Sequence, residues 1–417
     1  MSLPRLRNNI ASLGALQMAN YLIPLVTVPY LTRILGVESY GKMALVQVIM
    51  AYFALITDYG FSWSATRSIA ANRDDHDYVS RIFSSTWCAQ WLLASFALTA
   101  LLTAIAFIPM LKRDAWLYLV GFTTVLGNVF APLWLFQGLE RMRDIAVIQT
   151  TARIVALPLL FIYVSGPTDV IYAVLVAGIG TMFAGLTSLF WIKRKHLVSW
   201  RKPTIHDVGN VLLRDSTLFL SRVSISFYTT LTPLALGIMV DTAAVGYFSL
   251  ADKVRTLAQS MLDPVSQALF PRMSHLYEND RAAAQTLLKR SLAFVLLIAG
   301  CATTVLWFGA DMIIMLLSGK DFGEAAKVLK VIAFLPLLVG LSNVFGVQVM
   351  LPNQHNRIFN IILGTAGILG LCIIWPLTYL NSAVGAAQSM LLVELFVTAT
   401  MGIYLLRKGY LTNRPTN

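Results

Sequence analysis

The sequence predicts an all-α polytopic membrane protein with about twelve transmembrane helices. Three observations support this fold class. The chain is 57% hydrophobic and only 12% charged, with a mean hydropathy of +0.70. Apolar runs of about 20 residues recur along its whole length. Its Lys and Arg residues concentrate in alternate loops. Because soluble proteins average about 25% charged residues, this composition excludes a large soluble protein.

Each predicted span is an apolar run bounded by polar or charged residues. The chain starts with a basic segment that leads into an apolar stretch without a small-residue cleavage site, which indicates a first spanning helix rather than a signal peptide. The predicted spans are 10–32, 40–61, 82–108, 116–138, 145–164, 170–192, 211–238, 243–268, 288–309, 327–350, 358–380 and 383–405.

The distribution of positive charge predicts the orientation. With the N-terminus in the cytoplasm, the cytoplasmic connections hold about 21 Lys and Arg residues and the opposite side about 7. Both termini are therefore expected in the cytoplasm. The net charge of +12 follows from this asymmetry and does not require a nucleic-acid partner.

The chain divides near its middle at a basic connection. We predict an N-lobe over 1–198 with spans one to six, a cytoplasmic linker over 199–210, and a C-lobe over 211–417 with the other six. The halves resemble each other weakly, since a shift of 205 residues aligns Asp58 with Asp263 and Arg67 with Arg272. An even number of spans in each half predicts parallel repeats, and a pathway between them.

One stretch, 244–272, is long and apolar enough to cross a bilayer but is unusually polar. A charge at mid-bilayer costs at least ~2.5 kcal/mol, so this stretch is expected to line a wet pathway. At about 100° per residue, one stripe of the helix carries Asp252, Arg255, Gln259, Asp263 and Gln267.

Most charges predicted to face this space are cationic. Four lie at least two turns inside their spans, and Arg33 lies at one mouth. The four are Arg153, Arg222, Lys253 and Arg255. A cationic lumen favours an anionic passenger, and guanidinium geometry suits phosphate oxygens. Alternatively, Arg33 snorkels to the interface, and Asp58 and Asp263 cap helices or pair with nearby arginines.

No catalytic or metal-binding signature is present. The sequence has no G-x-x-x-x-G-K-[ST] loop, no H-E-x-x-H, and no Cys or His spacing typical of a metal site. Its loops are too short for a catalytic domain. We therefore predict that the protein is not an enzyme and uses no cofactor or metal, and that any work it performs draws on an ion gradient.

Several stretches together resemble the Wzx-type flippases for lipid-linked polysaccharide repeat units, within the MOP superfamily that also holds the MATE exporters. They lie in both halves, so the resemblance covers nearly the full chain. The stretches are VPYLTRILG at 28–36 with YG at 40–41, DYGF at 58–61 with ATRSIA at 65–70, WLFQGLERM at 134–142, and LADKV at 250–254 running on to Pro264 and QALFP at 267–271.

The resemblance implies two six-helix lobes that form a V around a central cavity in the bacterial inner membrane. It implies that an undecaprenyl-diphosphate-linked oligosaccharide is turned from the cytoplasmic to the periplasmic leaflet, with a polysaccharide polymerase and chain-length machinery as possible partners and no nucleic acid. The sequence does not identify the sugars.

Combined with the charge pattern, this resemblance assigns roles to the candidate residues. Alternating access is the expected mechanism. Asp252, with Asp58 as a second candidate, would exchange H⁺ or Na⁺ during turnover. The diphosphate would contact Arg222, Lys253, Arg255 and Arg153, with Arg33 at the mouth.

Three other classes remain open. A MATE-like cation or drug antiporter would favour a cavity of the opposite charge. A membrane glycosyltransferase or polymerase would need catalytic groups on a sizeable extracytoplasmic loop. A cell-wall precursor flippase of the MurJ kind would carry about two more spans.

Overall fold

The computed structural model describes the backbone from residue 3 to residue 410. Side chains are described from residue 22 to residue 410, apart from 217–218, 220–222, 224–229, 261, 263–265, 267–268 and 271. The predicted site residue Arg222 therefore lies outside the described side chains, as do Asp263 and Gln267 of the polar stripe.

Every regular element in this part of the chain is a helix, as the sequence predicts. The α-helices are α1 (Leu3–Asp58), α2 (Phe61–Ala71), α3 (His76–Phe107), α4 (Pro109–Arg113), α5 (Ala115–Phe130), α6 (Leu133–Gly138), α7 (Met142–Tyr163), α8 (Val170–Arg194), α9 (Ile205–Met239), α10 (Thr242–Gln259), α11 (Asp263–Asn279), α12 (Arg281–Ser318), α13 (Gly323–Ile332), α14 (Leu335–Asn343) and α15 (Asn356–Arg407). A π-helix over Val344–Met350 continues α14.

Two of these helices are long enough for two spans each, and both contain a sharp kink. In α1 the backbone leaves the helical region at Gly36, with φ 71° and ψ 179°. In α15 it does so at Asn381 and Ser382. Gly36 adopts a conformation that a side chain would strain. The first kink falls between the predicted spans 10–32 and 40–61, and the second between 358–380 and 383–405.

The helix lengths agree with a polytopic membrane protein. Among the described residues, eight helical stretches are long and apolar enough to cross a membrane. Two of the eight, Leu22–Ala71 and Asn356–Arg407, have 50 and 52 residues, about twice the ~20 residues that one crossing needs. The other two predicted spans, 211–238 and 243–268, fall on α9 and on the run from α10 to α11, which are more polar and are not among these eight.

Contacts divide the chain into two units, residues 1–223 and 224–417. The division falls inside α9. Unit 1 has an apolar core that includes Phe61, Trp134 and Ile145, and unit 2 has its own core around Met273 and Met350. The boundaries suggested by the sequence, with a linker over 199–210, stay a prediction.

In unit 1, α5 and α8 pack closely because glycines remove side chains from their contact. A Cβ atom on Gly127 would lie 2.6 Å from the backbone carbon of Thr181, and one on Gly178 would lie 1.8 Å from the hydroxyl of Thr123. Small residues at such a contact are typical of helix pairs in membranes, where close packing rather than hydrophobic burial holds helices together.

Candidate functional site

A cavity of about 240 Å³ lies within unit 2, between helices α9, α10, α14 and α15. Its wall is mainly apolar, with a few polar and charged groups among the aliphatic side chains. Its lining consists of Leu231, Thr232, Arg255, Gln259, Leu335, Val339, Gly367, Gly370, Leu371, Ile374, Ser389, Met390, Val393 and Glu394. A few oriented polar groups in an apolar wall are typical of ligand-binding sites.

Arg255 of α10 is the cationic group of this cavity and is only 8% exposed. Its Nε donates to Oδ1 of Asp252 at 2.8 Å, and Nη2 lies 2.7 Å from the same oxygen. Nη2 also donates to the Thr256 hydroxyl at 2.9 Å, and Nη1 donates to the Gln259 side-chain oxygen. The guanidinium is thus held by residues one helical turn away on either side, as the predicted stripe requires.

Glu394 of α15 brings a carboxylate to the same cavity. Its Oε1 accepts a hydrogen bond from the Ser342 hydroxyl at 2.6 Å, and Arg255 lines the same cavity. The cavity therefore contains both a guanidinium and a carboxylate. In the sequence, Glu394 is the single acid of an apolar run, and an acid in such a run is expected to face water. Nothing in the sequence links Glu394 to Arg255.

A smaller cavity of about 60 Å³ shares Gln259 and Val339 with the first, and three amides and one hydroxyl interrupt its otherwise apolar lining. The Ser266 hydroxyl donates to Asn343. Beside it, the Ser291 hydroxyl donates to Gln348 at 2.7 Å. Side-chain amides and hydroxyls both donate and accept hydrogen bonds, so this part of unit 2 could bind neutral polar groups.

Lys253 lies on a different side of α10. It is partly buried next to Asp252 and is not among the described residues that line the 240 Å³ cavity. Residues two apart on a helix do not face each other, so Lys253 and Arg255 point in different directions. The structure therefore brings Asp252 and Arg255 together, and Lys253, although it is next to Asp252 in the chain, does not line this cavity.

The predicted site residues of unit 1 are more scattered. Arg33 of α1 and Arg153 of α7 are both exposed. Asp58, at the end of α1, is partly buried and accepts a hydrogen bond from the Ser62 hydroxyl. No described contact joins these three residues into one site.

Asp215 of α9 was not among the predicted site residues, yet it is one of the most buried charged groups described, at 1% exposure. The Ser64 hydroxyl donates to its Oδ2 at 2.6 Å, and Arg214 Nε donates to its Oδ1 at 3.0 Å. The sequence did contain a signal for this residue, because Asp215 is an acid near the start of the predicted span 211–238. Its partners show a structural role, since they connect the start of α9 to α2.

Clusters of potential metal ligands are absent from the part of the chain that the structure describes. No three His, Cys, Asp or Glu side chains come together there in a way that could hold an ion. The polar groups around Arg255 are instead suited to binding a ligand through hydrogen bonds and charge.

The fold is that of an all-α polytopic membrane protein. Multi-span transporters have the same architecture. Two solved structures have the same fold. A structure described as the lipid II flippase MurJ in an inward closed conformation aligns with a TM-score of 0.71 and 13% identity, over 97% of this chain and 94% of that one. An inward-facing MATE family multidrug resistance transporter of the MOP superfamily aligns with a TM-score of 0.69 and 14% identity, over 92% and 95%.

The sequence comparison is more specific. The chain belongs to the polysaccharide biosynthesis protein family, whose profile matches residues 6–277. It is 33% identical to an Escherichia coli K12 protein described as "Putative O-antigen transporter", over 96% of both chains. The family named from the sequence motifs is confirmed.

Proposed function

We propose that this protein is a flippase for lipid-linked oligosaccharides of the bacterial inner membrane. It carries undecaprenyl-diphosphate-linked repeat units from the cytoplasmic to the periplasmic leaflet by alternating access, with both of its termini in the cytoplasm. Family membership and the full-length relative described as an O-antigen transporter support this proposal. They also favour transport over catalysis.

The observation that carries the proposal is the buried guanidinium of Arg255 at the wall of the 240 Å³ cavity. A charged side chain inside a membrane protein is costly, and such residues, although they usually pair with one another, often mark substrate pathways. Its planar donors match the oxygens of a diphosphate, which can accept two parallel hydrogen bonds. Arg222, Lys253 and Arg153 stay proposed as further contacts, and Arg33 as a contact at the mouth; Lys253 would meet the cargo outside the 240 Å³ cavity, since it does not line that cavity.

Other groups of unit 2 suit the remainder of the cargo. The amides and hydroxyls around the smaller cavity, including Asn343 and Gln348, can exchange hydrogen bonds with sugar hydroxyls. Aliphatic residues such as Leu371 and Ile374 line the larger cavity. We propose that sugar hydroxyls contact these amide and hydroxyl groups while the lipid chain stays in the bilayer.

Asp252 provides a means of coupling. Its carboxylate pairs with Arg255, and a diphosphate that binds here would compete with it for the guanidinium. Uptake of a proton or a sodium ion at Asp252 would weaken the ion pair and favour the cargo. Asp58 is a second candidate for coupling. The polysaccharide polymerase and the chain-length machinery are proposed partners after release.

The experiment is complementation of a bacterial strain that lacks its own repeat-unit flippase, with periplasmic delivery of lipid-linked sugars as the readout. Arg255→Ala should reduce delivery at least about tenfold, because lost hydrogen bonds to a charged group are worth about 1.5–3 kcal/mol. Lys327→Ala is the matched control, since Lys327 is 65% exposed and pairs with Glu324 at the surface, where such pairs contribute little. Normal delivery by Arg255→Ala at normal protein levels would remove the binding role.

A second candidate function is a MATE-like cation or drug antiporter. The carboxylate of Glu394 in the cavity favours it, as does the fold shared with a MATE transporter. The same deletion strain separates the two functions. A flippase restores surface polysaccharide without changing drug sensitivity, whereas an antiporter lowers drug sensitivity without restoring polysaccharide.

A further inference from the structure

A second large cavity, of about 500 Å³, lies in unit 1, remote in sequence from Arg255. It is formed by the start of α3, the segment 199–204 and the first turns of α9. Its lining consists of Tyr78, Arg81, Ile82, Ser84, Ser85, Arg201, Lys202, Pro203, Asp207, Asn210, Val211 and Arg214. None of these residues was assigned a role in transport.

The segment over 199–204 is fixed to α3 by its backbone. The Ser199 amide donates to the Ser80 hydroxyl at 2.9 Å, and the Arg201 amide donates to the Ser84 hydroxyl at 3.0 Å. Both serines are buried. Consequently, Arg201 and the adjacent Lys202 are held at the cavity that Arg81 of α3 also lines, so the positive charges are brought together by the fold.

The charges of this cavity are not balanced. Its lining holds four cations and one carboxylate. That carboxylate, Asp207, accepts hydrogen bonds from the Thr204 amide and hydroxyl at 2.9 and 2.7 Å, and these bonds lower the pKa of Asp207. Arg201 and Arg214 pair with acids of their own. Within the described ranges, Arg81 and Lys202 form no salt bridge.

Apolar side chains beside the cavity indicate its depth relative to the membrane. Trp200 is 53% exposed and packs edge-on against Trp87, with 5.6 Å between ring centroids. Ile205 and Leu213 of α9 are 94% and 76% exposed. Exposed tryptophan and aliphatic residues next to basic ones are typical of the headgroup region of a bilayer. The positive-inside distribution places this region on the cytoplasmic side.

We propose that this cavity binds the phosphate of an anionic phospholipid headgroup, with Arg81 and Lys202 as the main contacts. A phosphodiester at headgroup depth supplies the negative charge that the cavity lacks, and the acyl chains can cover Ile205 and Leu213. A free phosphate has the same charged oxygens but would leave these apolar side chains uncovered. The proposal rests on the geometry of this cavity and not on the proposed transport function.

The experiment measures lipid retention by the full-length purified protein in an uncharged detergent, by native mass spectrometry. Phosphatidylglycerol, phosphatidylcholine and inorganic phosphate are titrated separately. The wild type should retain phosphatidylglycerol at least about tenfold more tightly than phosphatidylcholine, and Arg81→Gln/Lys202→Gln should lose that preference, because two charge-assisted contacts are removed. Arg81→Lys/Lys202→Arg, which keeps both charges, should preserve it.

Arg357→Gln/Lys408→Gln is the matched control. It removes the same charge from two exposed residues of unit 2 on the same predicted side of the membrane, and it should stay within about twofold of the wild type. Three results would overturn the proposal: unchanged phosphatidylglycerol retention in Arg81→Gln/Lys202→Gln, an equal loss in the control, or binding of inorganic phosphate in place of the lipid. Thermal unfolding in phosphatidylcholine checks that each variant is folded.

Discussion

At the scale of single residues, the orientation of Arg255 is the feature most relevant to function. Its guanidinium is held by Asp252, Thr256 and Gln259, all on its own helix. Because these contacts are local, the guanidinium keeps its orientation if α10 moves relative to other helices. A preoriented donor loses less side-chain entropy when a ligand binds.

Asp252→Asn tests the role of the ion pair. Asparagine keeps the size and one acceptor oxygen but removes the charge, so Gln259 and Thr256 should still position Arg255. If Asp252 exchanges a proton, transport by the variant should become insensitive to collapse of the proton gradient, while wild-type transport should decline. Lipid-linked sugar delivery in cells with and without an ionophore measures this. An equal response of both proteins would contradict coupling at Asp252.

His355 predicts a pH dependence of stability outside the spans. Burial, and then the charge of Lys408, lowers the pKa of His355, which lies next to the Tyr410 hydroxyl at 3.1 Å. The folded state therefore favours the neutral ring. The stabilising contribution of neutral His355 is fully present above the ordinary histidine pKa of about 6.5. It is lost as the pH falls through the lowered pKa of His355 in the folded state.

The measurement is thermal unfolding in detergent between about pH 7.5 and about pH 5. Wild-type protein should lose more thermal stability on acidification than His355→Gln, which cannot titrate in this range. The same acid-induced loss in both proteins would show that protonation of His355 does not destabilise the fold.

At the scale of helices, the sequence predicts the spans well because the bilayer itself requires long apolar helices. It also predicts the stripe of Asp252, Arg255 and Gln259, which depends only on helical spacing. It does not predict that Glu394 faces the same cavity, because that depends on how α15 packs against α10 and α14. Nor does it predict that Lys253 faces away from this cavity, which is evident only once the lining is known.

The contact between α5 and α8 provides a stability test at this scale. Gly127→Ala should destabilise the protein by about 1–3 kcal/mol, since the added methyl would overlap the backbone of Thr181. Gly364→Ala is the matched control in α15, where a Cβ meets nothing within 4 Å. It should be neutral or stabilising by about 0.5–1 kcal/mol, because alanine favours helix. Thermal unfolding distinguishes the two, and equal effects would contradict the close packing of α5 and α8.

At the scale of the whole molecule, the chain has the fold of the flippase and MATE structures at very low identity. Such a likeness defines the architecture and leaves the cargo to be determined by local chemistry. The two units have separate cores, and each contains a cavity with charged side chains in its lining.

The most direct test is transbilayer movement of cargo in liposomes that contain only the purified protein. An undecaprenyl-diphosphate-linked oligosaccharide is added to one leaflet, and its accessibility from the other is followed with time. We predict that wild-type protein and Lys327→Ala accelerate the movement, whereas Arg255→Ala does so at least about tenfold more slowly. No acceleration by folded wild-type protein, or equal acceleration by Arg255→Ala, would contradict a flippase that binds the diphosphate through Arg255.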